Sequence, residues 1–278
     1  MAAILGTLQS TLTNFQFIDD DWKRNTEEER LLGVSLTGVM DHPVMNGGGD
    51  TNELTRWLSE LKAVVNETNK WWAEHLGVAQ ATATTTVKPS GTVSQLVGSA
   101  SGIHARFAPY YIRTVRGDNK DPVTKLLIES GVPHEPDITK PDTTTVFSFP
   151  IASPPTSVMV EDRSAVEQLE LWLLYQRYWC EHKPSCTIYV KDDEWLAVGS
   201  WVYKHFDEVS GVSFLPYSSH TYKQAPYQKI TAEEYEEAAA VMPNIDWSRL
   251  SEIESEDHTR GTQELACTGG VCELVDIT

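Results

Sequence analysis

The chain has 278 residues, with 40 acidic against 22 basic side chains and a formal charge of −18. At 40% hydrophobic with nine tryptophans it can bury one large core or two small ones, which excludes a disordered protein. The negative charge disfavours nucleic acid polymers and anionic membranes by repulsion, and no apolar run approaches the ~20 residues of a bilayer span. The start, Met1-Ala2-Ala3-Ile4-Leu5-Gly6, lacks a signal peptide's basic flank and cleavage site, so the cytoplasm is the expected compartment.

Asp50-x-x-Glu53 predicts the capped start of a long amphipathic helix whose buried face carries Leu54, Trp57, Leu58, Leu61, Val64, Val65 and Trp72. A short strand over 84–87 follows. Asp121-Pro122 running to Gly131 predicts a helix with proline at its first position and glycine past its last. Residues 146–149 read as a strand. Ser164-x-x-Glu167 opens a second long helix, nearly surrounded by protein, ending near His182-Lys183-Pro184. Strands over 187–190 and 212–215, a helix over 194–206 and a capped helix from Thr231-x-x-Glu234 complete the pattern. Strands alternating with helices imply an α/β architecture, with strands enclosed by helices. From Ser251 onward periodicity disappears and acidic side chains dominate, with Arg260 the single cation, which reads as a solvated, flexible tail.

Two groups of residues carry candidate chemistry. Val87-Lys88-Pro89-Ser90-Gly91-Thr92-Val93-Ser94 places a glycine and three hydroxyls where a strand turns into an apolar segment. Backbone amides and hydroxyls at such a turn cradle phosphate without many cations, although an ordinary capped helix start fits the same residues. His104, Arg106, Arg113 and Arg116 follow as the main basic cluster, suited either to phosphate or to pairing with carboxylates. The second group is Cys267-Thr268-Gly269-Gly270-Val271-Cys272. Its two glycines let the thiols close a small ring, which gains little loop entropy and is easily reduced, favouring a redox role over a mechanical one. The tail before it spans on the order of 20 Å as a coil, enough to reach a separate centre and return. Two incidental tail cysteines are the plain alternative. A zinc site is disfavoured because Cys180 and Cys186 show no matching spacing; both read as packed cysteines, and no metal site is expected.

Taken in order, the segments Gly6 to Phe15, Arg30 to Gly38, Lys88 to Leu96, Ser101-Gly102-Ile103-His104, Pro184 to Val190, Phe214 to Tyr217 and the terminal C-x4-C resemble the carboxyl-terminal part of adenosylcobalamin-dependent (class II) ribonucleotide reductases of the monomeric ribonucleoside-triphosphate type. The resemblance implies the second half of a ten-stranded α/β barrel over 1–250 and a redox tail over 251–278. It assigns Ser90, Gly91, Thr92, Val93 and Ser94 to binding the phosphates of a ribonucleoside triphosphate. Cys267 and Cys272 become the pair that re-reduces an active-site disulfide, themselves reduced by thioredoxin. Neither Cys180 nor Cys186 is followed by the family's C-x-E pattern. The radical cysteine and catalytic glutamate are therefore expected on an amino-terminal half, the partner with which adenosylcobalamin would act. Two readings stay open: a portion of a split or longer reductase, inactive alone, or an inactive module that binds a nucleotide or a reductase subunit. A free-standing thiol oxidoreductase is disfavoured because the tail lacks the C-x-x-C helix context.

Overall fold

The structure, a computed structural model, describes residues 1–217 and 222–254. These divide into two compact units, residues 1–105 with 156–217 and residues 106–155 with the described part of 218–278, where the sequence suggested one division near 250.

The first unit is α/β. It comprises α1 (Ala2–Gln9), α2 (Asp20–Glu29), β1 (Val34–Ser35), α3 (Thr51–Leu76), β2 (Thr85–Thr86), α4 (Val93–Leu96), α6 (Ala165–Tyr178), β6 (Cys186–Val190), α7 (Trp195–Lys204) and β7 (Val212–Pro216). Its strands pair in parallel, β1 with β2 and β6 with β7. Thr85 O also accepts the amides of Glu181 and His182, and Val87 O that of Ser185, so the chain leading into β6 runs along the other side of β2. Cys186, Thr187 and Ile188 are successive buried residues of β6, as expected of a strand covered on both faces.

Helix α6 is the centre of this core. Its capping box is complete, and Leu169, Leu171, Trp172, Leu173 and Tyr175 are buried. Buried aromatic rings that carry a polar atom need a partner for it, and each finds a backbone carbonyl: Trp172 donates to Pro184 O, Trp179 to Thr86 O and Tyr175 to Met45 O. The helix ends at Tyr178, earlier than the expected His182–Pro184, because the following amides turn to Thr85 O. Cys180 and Cys186 are buried as expected, and burial pushes both thiols up to about 12.

Helix α3 begins at the expected cap, Asp50 accepting from the Asn52 amide, and stops at Gly77 in the left-handed conformation. Its predicted apolar face is only partly correct. Leu54 and Leu58 are fully buried, whereas Leu61 and Val64 are 42% and 58% exposed, because the covered face of this 26-residue helix runs through Leu54, Leu58, Val65, Asn69 and Ala73 and passes them by.

The second unit departs from the expected enclosed strands. It is built on an antiparallel sheet of order β4-β5-β3-β8, formed by β3 (Tyr110–Asp118), β4 (His134–Pro136), β5 (Thr144–Ala152) and β8 (Tyr227–Lys229). β3 pairs with β5 along its whole length, from Tyr110 opposite Ala152 to Asp118 opposite Thr144. Helices α5 (Pro122–Glu129), α8 (Ala232–Ala240) and α9 (Leu250–Ile253) belong to this unit, with Leu126, Val132, Val146 and Phe147 forming its interior. Helix α9 crosses the boundary expected at residue 251.

Candidate functional site

The predicted phosphate cradle follows β2 in the first unit. Its five residues do unlike work. The Ser90 hydroxyl accepts from the Ser94 amide at 3.0 Å while the Ser94 hydroxyl donates to Ser90 O at 2.6 Å, a reciprocal lock that closes the turn. Ser94 is fully buried and is committed to that lock. Thr92 does not cap α4 with its side chain, so the segment is not an ordinary capped helix start; the cap-like bond comes from Ser90, two residues earlier. Among the described residues the amides of Thr92 and Val93 meet no protein acceptor, and Val93 is 61% exposed. Lys88, at the start of the turn, donates to the Ser185 hydroxyl at 3.0 Å and has no carboxylate partner among the described residues.

Two further segments hold this turn. The Ser101 hydroxyl accepts the Ser90 amide at 2.7 Å. Gly102 adopts φ +53°, and a side chain there would sit 2.7 Å from Lys88 O, so the close approach of the two backbones requires glycine. Behind Ser101, Thr37 and Asp41 bind the backbone of Ala100 and Gly102. His104 accepts the Thr187 amide on Nε2 at 3.0 Å, which fixes the ring as the tautomer whose Nδ1–H donates to Ser101 O. Burial holds this imidazole below the ordinary histidine value, the bond to Ser101 acting in the opposite direction. Thr37 and Asp41 were not singled out from the sequence; the signal was that Thr37 lies in one family-like segment and Ser101 in another.

The residues of the expected basic cluster divide between the two units. His104 belongs to the first unit, while Arg106, Arg113 and Arg116 belong to the second. There Arg116 pairs with Asp137 at 2.8 Å, Arg113 lies 5.9 Å from the centre of the Tyr227 ring, and Arg106 hydrogen-bonds Tyr111. At Arg116 the carboxylate-pairing alternative is the one observed. Cys267 and Cys272 lie outside the described residues. Among the described residues no His, Cys, Asp and Glu side chains gather as a metal site, and no helix is long and apolar enough to cross a membrane.

A turn with two uncommitted amides beside a lysine suits an anion with several oxygens, such as a polyphosphate. The fold around it is that of a solved B12-dependent (class II) ribonucleotide reductase, matched with a TM-score of 0.78 at 24% identity over 92% of this chain and 40% of that one.

Sequence comparison narrows the relationship. The chain is homologous to a portion of the adenosylcobalamin-dependent ribonucleoside-triphosphate reductases. It is 33% identical over 222 residues to the Euglena gracilis reductase, covering 78% of this chain and 30% of that protein. A probable reductase of the same name from Dictyostelium discoideum is 30% identical over 252 residues, 88% of this chain and 32% of the relative. The Lactobacillus acidophilus reductase is 29% identical over 286 residues, 91% and 38% respectively. The chain thus spans roughly a third of the length of these curated relatives. No family model matches it.

Proposed function

We propose that this chain is the carboxyl-terminal portion of an adenosylcobalamin-dependent ribonucleoside-triphosphate reductase, active in the cytoplasm when joined to an amino-terminal half. Residues 1–250 would form the second half of the ten-stranded barrel and 251–278 the redox tail. The observation that carries this reading is the similarity to such reductases over 88–91% of the chain.

In this reading the triphosphate of the substrate rests on the turn from Ser90 to Ser94, through the amides of Thr92 and Val93 and the charge of Lys88, which orients the ribose for the reacting groups of the other half. Adenosylcobalamin would supply the radical chemistry when bound, while this chain's own residues bind and orient the nucleotide. Reduction of the ribose oxidises two active-site thiols of the other half to a disulfide. Cys267 and Cys272 reduce that disulfide by thiol exchange and become a disulfide themselves, and thioredoxin returns the two electrons.

The test is reconstitution. The chain alone should reduce no ribonucleoside triphosphate, and activity should appear on mixing with the amino-terminal half. In that mixture, replacing Cys267 and Cys272 by serine should abolish thioredoxin-driven turnover and spare the first turnover of the pre-reduced enzyme. Reduction by the isolated chain would sink the proposal. Neither Cys180 nor Cys186 shows the C-x-E pattern, which favours as a second reading an inactive module that binds a nucleotide or a reductase subunit. Nucleotide binding with no turnover in any mixture would select that second reading.

A further inference from the structure

The Ser101-Gly102-Ile103-His104 segment has no part in the chemistry above, and its geometry points to one: we propose that Ser101 is the positioning residue of the phosphate turn, its hydroxyl holding the Ser90 amide so that the Thr92 and Val93 amides stay presented to an anion. The proposal rests on the reading of that turn as a polyphosphate site.

The backbone on both sides of Ser101 is fixed by residues 37–41. Gly38 N and the Thr37 hydroxyl donate to Ala100 O at 2.7 and 2.9 Å, and Ala100 N donates to Asp41 Oδ2 at 2.7 Å. On the far side Gly102 N donates to the Thr37 hydroxyl at 3.2 Å, and Val39 N donates to Gly102 O at 3.2 Å. Val39 and Met40 in the middle of that segment are buried in the core, which anchors this frame independently of the turn. Ser101 O is held from a third direction by His104, itself anchored on the Thr187 amide.

What remains of Ser101 is its hydroxyl, and that hydroxyl accepts the Ser90 amide at 2.7 Å. Ser90 in turn locks Ser94. The bonds therefore run in series from the core, through Ser101, to the two residues that close the turn. Without the Ser101 hydroxyl the Ser90 amide would turn to water and the turn would sample other conformations. An anion would then have to order it on binding, which lowers affinity without removing any group that touches the ligand.

The experiment is calorimetric titration of the full chain with sodium tripolyphosphate and, separately, with ATP. Ser101→Ala should weaken both by about tenfold, the equivalent of one hydrogen bond, because only the phosphate end is affected. Its thermal midpoint should stay within a few degrees of the parent. Ser101→Thr keeps the hydroxyl and should restore most of the affinity, a rescue that a general packing role would not show. Thr37→Val removes the bridge between Ala100 and Gly102 while keeping the side-chain shape, should weaken binding by a smaller factor, and carries the test if Ser101→Ala does not fold. Parent-like affinity in the folded variants overturns the positioning role while leaving the phosphate turn standing. No binding of tripolyphosphate by the parent chain removes the turn reading and this inference with it.

Discussion

Two polar clusters in this chain are built from similar parts and end in opposite states. In the second unit, Asp137 Oδ1 accepts the amides of Thr139 and Lys140 and the Thr139 hydroxyl, and Oδ2 accepts Arg116 Nε at 2.8 Å. Gln224 closes the same cluster, donating to Glu135 and Pro136 and accepting the Ile138 amide. In the first unit, the segments around Ser90 and Ser101 are tied together just as closely, yet the Thr92 and Val93 amides and the Lys88 charge stay open to a partner from outside. Saturated polar clusters stabilise a fold; a rigid cluster that leaves donors uncommitted is a place to bind. The contrast is what favours the turn from Ser90 to Ser94 as a candidate phosphate site, more than its glycine and hydroxyl composition.

The largest effect should come from the joint that makes the turn rigid. Gly102→Ala forces a side chain into a left-handed backbone position 2.7 Å from Lys88 O, a backbone atom that has no rotamer with which to retreat. A loss of about 3 kcal/mol in urea denaturation is expected, from backbone strain and overlap together. A near-neutral outcome would mean that residues 88 and 102 separate easily, and the turn would lose its claim to rigidity.

The saturated cluster should respond next, and to pH. Burial alone would raise the Asp137 carboxyl, but the bonds from Thr139, Arg116 and Lys140 outweigh it and hold the group well below the usual carboxylate range. A depressed folded value stabilises above the unfolded value, near ~3.9, and that contribution is lost as pH falls through the lower folded value. Asp137→Asn should cost about 2 kcal/mol at neutral pH, with the difference from the parent shrinking as pH drops below about 4. Unfolding curves at several pH values check both the size and the sign. A difference that grows in acid would show that Asp137 is not the charged acceptor of this cluster.

Local chemistry was legible in the sequence, and long-range placement was not. The caps at Ser164 and Thr231 and the Asp121-Pro122 start all appear where the residue pattern put them, because a cap is decided within four residues. The turn from Ser90 to Ser94 was legible for the same reason. Its supports were not: Thr37 and Asp41 are about 60 residues from the backbone they hold, and no periodicity connects them. Strand β3 was hidden differently. Arg113 and Arg116 drew its residues into a basic cluster, although Tyr111 and Thr114, on opposite faces of the strand, are both buried in a sheet that only the pairing with β5 and β8 creates. The apolar Leu61 and Val64 obeyed helical spacing yet lie outside the core, since spacing fixes a face without fixing what covers it.

The smallest effect tests whether the difference between the clusters lies in their bonds or in their surroundings. At the start of α6 the Ser164 hydroxyl accepts the Glu167 amide at 3.2 Å, and Glu167 Oε2 accepts the Ser164 amide at 2.8 Å. The two bonds from Ser164, through its amide and then its hydroxyl, hold the Glu167 carboxyl below its ordinary value, and the site is exposed. Ser164→Ala removes the hydroxyl, but water replaces the lost acceptor at the freed amide, so the expected cost is about 1 kcal/mol. Asp137→Asn acts instead in an enclosed cluster, where it leaves groups that water reaches poorly. If Ser164→Ala costs as much as Asp137→Asn in the same denaturation series, enclosure is not what separates them. If it costs roughly half, burial rather than bond number decides which polar groups hold the fold, and the exposed, uncommitted amides of Thr92 and Val93 are then free to serve a ligand at little expense to stability.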